Sequence, residues 1–189
     1  MDGKKQKLNS PRTIFQMKVT LQGIEPPIWR RFLVPGGITL HKFHKILQLV
    51  MGWRDYHLYS FTVDDVYYGI PDLEFAPEFK DSRRIELQKA ITEKIGFVYA
   101  YDFGDNWEPE IQVEAILSAR SKFSPVCLGG ERGCPPEDVG GTSGYSDFLE
   151  AISNPDHEEH ENFQTWAGED FGAEHFDLEA VNNKLEKLR

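Results

Sequence analysis

Ile14-Phe15-Gln16-Met17-Lys18-Val19-Thr20-Leu21 alternates apolar and polar side chains. A period of two sends every second side chain to the same side, so the stretch reads as a strand with one buried face. Beyond a turn at Gly23 to Pro27, Ile28-Trp29-Arg30-Arg31-Phe32-Leu33-Val34 reads as a second strand, ended by Pro35-Gly36-Gly37. The two make a hairpin. The period then changes. Leu40, Phe43, Leu47, Val50 and Met51 recur at helical spacing behind Thr39, a side chain suited to an N-cap, and the pattern stops at Gly52.

The rest of the chain continues this strand-then-helix order. Residues 58–63 read as a strand, and 66–68 as its return after an Asp64-Asp65 turn. Residues 69–82 look like loop, and 85–91 form a short element of ambiguous type. Residues 97–103 and 107–117 read as strands joined through Gly104-Asp105-Asn106, with Gly104 expected at positive φ. Further on, Thr142 or Ser143 would cap a helix whose face is Tyr145, Phe148, Leu149 and Ile152, stopped by Asn154-Pro155. Asp156 with Glu159 resembles a capping box opening a helix through Trp166. A last helix should start at Asp177 and bury Leu178, Val181, Leu185 and Leu188. Strands first and helices last predict a single α+β domain: an antiparallel or mixed sheet, one helix after the first hairpin, and a helical C-terminal third. Residues 1–11 are expected to be a disordered lead-in, and 12–189 the domain.

Residues 125–145 interrupt that order. They hold six of the sixteen glycines, three of the eleven prolines and both cysteines. Gly costs backbone entropy and Pro lacks an N–H, so the segment should be neither helix nor central strand. Its Cys, Arg and apolar residues point to an ordered loop folded over the sheet.

A chain of 189 residues, 40% hydrophobic, is long enough for one substantial core. No apolar run approaches the roughly 20 residues of a membrane span, so no membrane partner is expected. Residues 1–10 are polar and lysine-containing without an apolar core of a signal peptide, which favours reduced thiols in a cytoplasmic protein, with a disulfide closing the short Cys127–Cys134 loop as the alternative. The net charge of −10 hides an asymmetry: residues 1–54 hold ten Lys/Arg against two Asp/Glu, while 145–189 hold three against twelve. An acidic chain does not attract nucleic acid at long range. The two regions read instead as complementary surfaces of one fold.

Several motifs are long and unusual. They are Pro26-Pro27-Ile28-Trp29-Arg30-Arg31, Leu40-His41-Lys42-Phe43-His44, Met51-Gly52-Trp53, Tyr101-Asp102-Phe103-Gly104-Asp105-Asn106-Trp107, Cys134-Pro135-Pro136-Glu137-Asp138 with Gly140-Gly141, and Gly144-Tyr145. On these the chain resembles the plasmid pRiA4b ORF-3-like family, also met as passenger proteins of insertion elements, from about residue 12 to the end. The resemblance implies a compact α+β domain and no particular reaction. The chain departs from it at Tyr59, Pro109 and Val139, where members often carry His, His and Cys. A metal or redox role of those positions in relatives would not carry over.

The chemistry-bearing residues fall into three sets. Distinctive turns and the ordered loop suggest a binding surface formed by Asp102, Asp105, Trp107, Glu131, Arg132, Asp138 and Tyr145. Metal candidates are Cys127, Cys134, His57, His157 and His160, with Asp102 and Asp105 as carboxylates. The cysteines have six residues between them rather than the two to four of a zinc knuckle, and His157-Glu158-Glu159-His160 is one residue short of HExxH. His157 and His160 would nonetheless share a helical face. Arg30, Arg31, Lys42, Lys45 and Arg54, beside Trp29, could form a nucleic-acid face. Strand alternation sends Arg30 and Arg31 to opposite sides, which favours an internal ion pair for one of them. No GxSxG, Cys/His pair or P-loop lysine is present.

The expected function is therefore a non-enzymatic binding module associated with a mobile element, with an unknown protein as partner and no cofactor. The alternative is a metal-dependent enzyme using the Asp102/Asp105 and Cys/His candidates with zinc or another divalent cation. The third reading is nucleic-acid binding through the basic N-terminal third.

Overall fold

The computed structural model describes residues 12–188 except 73, 75, 77, 92–95, 169 and 170. The expected lead-in over 1–11 lies outside the described residues. In chain order the elements are β1 (Arg12–Thr20), β2 (Trp29–Pro35), α1 (Leu40–Met51), β3 (Tyr59–Val63), β4 (Val66–Gly69), β5 (Lys80–Asp81), α2 (Leu87–Ala90), β6 (Gly96–Tyr101), β7 (Glu110–Ala119), β8 (Val126–Glu131), α3 (Gly141–Ser153), α4 (His160–Ala167) and α5 (Leu178–Lys187). Among the described residues the strands form one sheet in the order β5-β4-β3-β6-β7-β1-β2-β8. Every neighbouring pair is antiparallel except β4 and β5. The sheet is mixed and the domain α+β, as the sequence order implies.

One face of the sheet is covered. In β2 the inward set is Arg30, Phe32 and Val34, and in β6 it is Phe97, Tyr99 and Tyr101. Helix α1 lays Leu40, Phe43, Leu47, Val50 and Met51 on that face. Phe43 stacks on Phe61 at 5.5 Å and meets Phe32 and Phe97 at 6.2 and 6.3 Å. Burying such a ring is worth about 1.5–3 kcal/mol. The start of α1 is held from three sides. Thr39 Oγ1 accepts from the Lys42 N–H, and the N–H groups of Leu40 and His41 donate to Ile85 O and Ser82 O. Gly52 ends the helix at φ 92°.

The two-residue turn after β3 also follows its chemistry: Asp64 and Asp65 both take positive φ, as a type I′ hairpin requires. Helix α5 starts at Asp177, whose carboxylate accepts from the Ala180 N–H, and buries Val181 and Leu185. Leu178, expected inside, is exposed.

Four local expectations are corrected. Strand β8 runs through the segment read as loop. It is a sheet edge, where Gly does least harm, and its register slips between Arg31 and Phe32 so that Leu128 bulges out. Helix α3 begins after Gly140, not Thr142 or Ser143, and no side chain caps it. Helix α4 starts at His160 rather than Asp156, because Asn154 turns the chain by accepting from the Asp156 N–H. The tip between β6 and β7 puts Asp102 and Asn106, not Gly104, at positive φ.

Candidate functional site

Three side chains from distant parts of the chain converge where β6 ends. His57 lies in the turn leading into β3, Asp102 directly follows β6, and Asp138 lies in the loop before α3. The Asp102 N–H donates to Leu58 O at 3.0 Å, fixing the end of β6 beside that turn. Asp102 Oδ1 accepts from the N–H groups of Gly104 and Asp105 at 3.0 and 3.4 Å, which leaves Oδ2 for other work. That oxygen lies 3.5 Å from His57 Nε2, and Asp138 Oδ1 lies 3.2 Å from the same nitrogen. The Nε2 atom is enclosed, yet it makes no aligned hydrogen bond. One ligand atom from each of the three residues falls within 4.8 Å of the others, and no other such His/Cys/Asp/Glu group occurs among the described residues.

The surroundings hold this trio in place. The His57 ring packs edge-on against Tyr101, with centroids 5.8 Å apart. Tyr101 OH donates to Glu137 Oε1 at 2.7 Å and accepts from the Tyr56 N–H at 3.1 Å. Burial and the adjacent Glu137 carboxylate push the Tyr101 hydroxyl well above its ordinary pKa, so it stays a donor. Glu137 Oε1 also accepts from the Arg54 N–H at 2.6 Å, while Oε2 is buried with no partner. Asp105 accepts from the Gly140 N–H at 3.0 Å and ties the β6–β7 tip to the start of α3.

Beside the trio opens a cleft of about 560 Å³ between the end of α1, residues 133–138 and the α4–α5 region. Its size is that of small-ligand and peptide sites. Trp53, Tyr56, Trp166 and Phe171 are among its walls, and Asp138 stands on its lip. Three large apolar side chains next to the trio face solvent: Tyr56 at 69%, Leu58 at 67% and Phe103 at 50% exposure.

Several residues expected on a binding surface are placed elsewhere. Trp107 and Tyr145 are buried, 1% and 0% exposed, because both complete the core. Arg132 is buried too: its guanidinium donates to Glu174 Oε1 at 3.0 Å and to Pro26 O at 2.5 Å. Glu131 is exposed and accepts from the Trp29 indole N–H. Asp102 and Asp138 do meet. Of the expected metal ligands only His57 joins them. His157 precedes α4 instead of sharing its face with His160, and their Nδ1 atoms face the Glu159 N–H and Ala151 O.

Both cysteines are free thiols. Burial raises the Cys127 thiol and pushes that of Cys134 up to about 12, with Arg30 only partly opposing it. Both shifts favour the protonated thiol over the nucleophilic thiolate.

The basic set does not form one face. Arg30 is 2% exposed and spends its donors on Val50 O, Trp29 O, Glu131 O and Arg132 O, so it cannot reach a nucleic acid. Arg31, on the opposite side as alternation requires, makes two hydrogen bonds of 2.7 Å to Glu114, the expected internal ion pair. Lys45 pairs with Asp55. Lys42 and Arg54 lie on α1 and just beyond it.

Sequence reading missed a buried polar network on α1. His44 Nδ1 meets Tyr99 OH at 2.7 Å, its Nε2 meets Asp55 at 2.5 Å, and its ring stacks on Tyr59 at 3.6 Å. Tyr59 in turn bonds His41 and Ser82. The signal was present: His44 and Gln48 fall among the apolar positions of the helix.

One solved structure shares this architecture. A crystal structure of a protein of unknown function, MM3350 from Methanosarcina mazei Go1, superposes with a TM-score of 0.79 at 34% identity, covering 89% of this chain and 97% of that one. The uncharacterized protein y4hQ of Sinorhizobium fredii (strain NBRC 101917 / NGR234) is 39% identical over 179 residues, 93% of this chain and 92% of its own length. No helix among the described residues is long and apolar enough to cross a membrane. The model of one family matches residues 13–180; the chain belongs to the plasmid pRiA4b ORF-3-like protein family.

Proposed function

We propose that the chain is a non-enzymatic binding module of mobile elements that seats an apolar segment of a protein partner in the cleft beside Tyr56. The link to mobile elements rests on the family's plasmid origin. The binding reading rests on one observation: Tyr56, Leu58 and Phe103 lie 69%, 67% and 50% exposed around an ordered, hydrogen-bonded turn. Large apolar side chains gathered on a rigid rim mark a contact surface, because each loses water-exposed area when a partner covers it. The cleft, which Tyr56 also lines, offers Trp53 and Phe171 as apolar walls and Trp166, 47% exposed, as a flank.

Selection of displayed random peptides against the wild-type chain tests this. Peptides rich in large apolar residues should be enriched, and each of Tyr56→Ser, Leu58→Ser and Phe103→Ser should weaken them at least about tenfold, since a buried side chain of this size is worth about 1.5–3 kcal/mol. Failure to enrich any peptide, or binding unchanged in all three variants, overturns the reading.

A further inference from the structure

We infer that His57, Asp102 and Asp138 form a site for a divalent transition-metal cation at the lip of the cleft. The argument is geometric. Ligands bound at about 2.1 Å to one ion, with angles of about 100–110° between them, stand about 3.2–3.5 Å apart. The two carboxylate oxygens stand 3.2 and 3.5 Å from His57 Nε2.

The misalignment of the imidazole supports the same reading. An oxygen sharing a metal with an imidazole nitrogen lies about 40° off the ring's lone-pair axis, too far aside for a good hydrogen bond. His57 Nε2 is enclosed and near two carboxylates, yet hydrogen-bonded to neither. A histidine built to pair with Asp102 or Asp138 would point its N–H at one of them. Here the nitrogen lies 3.2 and 3.5 Å from the two oxygens and is aligned with neither.

Charge points the same way. Among the described residues no Lys or Arg forms an ion pair with Asp102 or Asp138, and the buried Glu137 Oε2 next to Asp138 has no partner. A divalent cation would compensate the two carboxylates. One imidazole and two carboxylates suit Zn2+ or Mn2+, and three protein ligands leave positions open for water. The sequence candidates Asp105, Cys127, Cys134, His157 and His160 are not in this set.

Isothermal titration of the chelator-treated full chain with Zn2+, and separately with Mn2+, tests the site. One ion per chain should bind, and the bound ion should raise the unfolding temperature. His57→Ala and Asp138→Asn should each weaken binding at least about tenfold, because each removes one of three ligands. Asp138 is 67% exposed at its side chain, and Asn tolerates its φ of 61°, so that variant should fold as the wild type does. Combined Cys127→Ser and Cys134→Ser should leave the affinity unchanged. Absence of binding of either ion at millimolar concentration, or binding that survives both His57→Ala and Asp138→Asn, overturns the site. Neither outcome bears on peptide capture, which depends on Tyr56, Leu58 and Phe103.

Discussion

The Arg30 guanidinium of β2 lies over the Phe176 ring, 4.1 Å from its centroid, and so clamps the approach to α5 against the sheet edge. Its Nε donates to Val50 O at 3.0 Å, and its two amino groups reach Glu131 O and Arg132 O at 2.7 Å. One side chain thereby joins the end of α1, the end of β8 and the C-terminal segment. An arginine matches this array because its planar fork carries five donors, which a lysine lacks.

Arg30→Met should therefore destabilise the fold by about 3 kcal/mol or more, since several buried carbonyls lose their donor at about 1–3 kcal/mol each. Arg30→Lys should recover only part of this. Urea unfolding of both variants measures it. A loss below about 0.5 kcal/mol, typical of surface substitutions, would show that the clamp is dispensable.

His44 makes stability depend on pH. Burial pushes its pKa down to about 4, although Asp55 opposes that shift. The unfolded chain takes up the proton near pH 6.5 while the folded chain refuses it. Stability is then fully present above pH 6.5 and is lost as pH falls toward 4, by about 1.4 kcal/mol per unit. His41, lowered by burial and by Lys45, adds to the slope in the same direction. His44→Gln should be less stable at pH 7 but show a clearly shallower fall between pH 6.5 and 5. Parallel curves for variant and wild type would remove His44 from the account.

How much of this the chain declares in advance depends on the range of the interaction. The β1–β2 hairpin and α1 were legible because alternation, helical spacing, Thr39 and Gly52 are local signals. Strand β8 was not, since a run containing Gly129 and Gly130 becomes a strand only by pairing with β2 at the sheet edge. The same holds for the site. Asp102 stood out beside a turn between strands, Asp138 in the ordered loop, and His57 as one of three histidine candidates. Their meeting depends on the fold of the 44 residues between His57 and Asp102, and on a loop that returns beside them. The apparent pair His157 and His160 misled because spacing of three implies one face only inside a helix, and α4 begins at His160.

The thiols should be silent in the folded protein. Cys127 is 2% exposed in β8, and its Sγ–H points to Arg31 O and Gly129 O at 3.5 and 3.6 Å. The Cys134 thiol, pushed to about 12, holds almost no thiolate at pH 8. Iodoacetamide at that pH should leave both unmodified in buffer and label both in denaturant, read by intact mass. Rapid native labelling of Cys134 would show that its thiol is not held in the protonated form.

Two glycines of the same segment should behave oppositely. A Cβ on Gly144 would lie 2.0 Å from Val139 O, a backbone atom that cannot swing aside, whereas one on Gly129 meets nothing within 4 Å. Gly144 sits in the first turn of α3, so relieving the clash means moving either that helix or the loop carrying Asp138. Gly144→Ala should cost about 2 kcal/mol or more, and Gly129→Ala should stay within about 0.5 kcal/mol, the range of substitutions that touch nothing. Because the loop also presents Asp138, Gly144→Ala should weaken Zn2+ binding as well, while Gly129→Ala should not. Equal unfolding midpoints for the two variants would show that the junction of loop and helix is not held as tightly as the 2.0 Å approach requires.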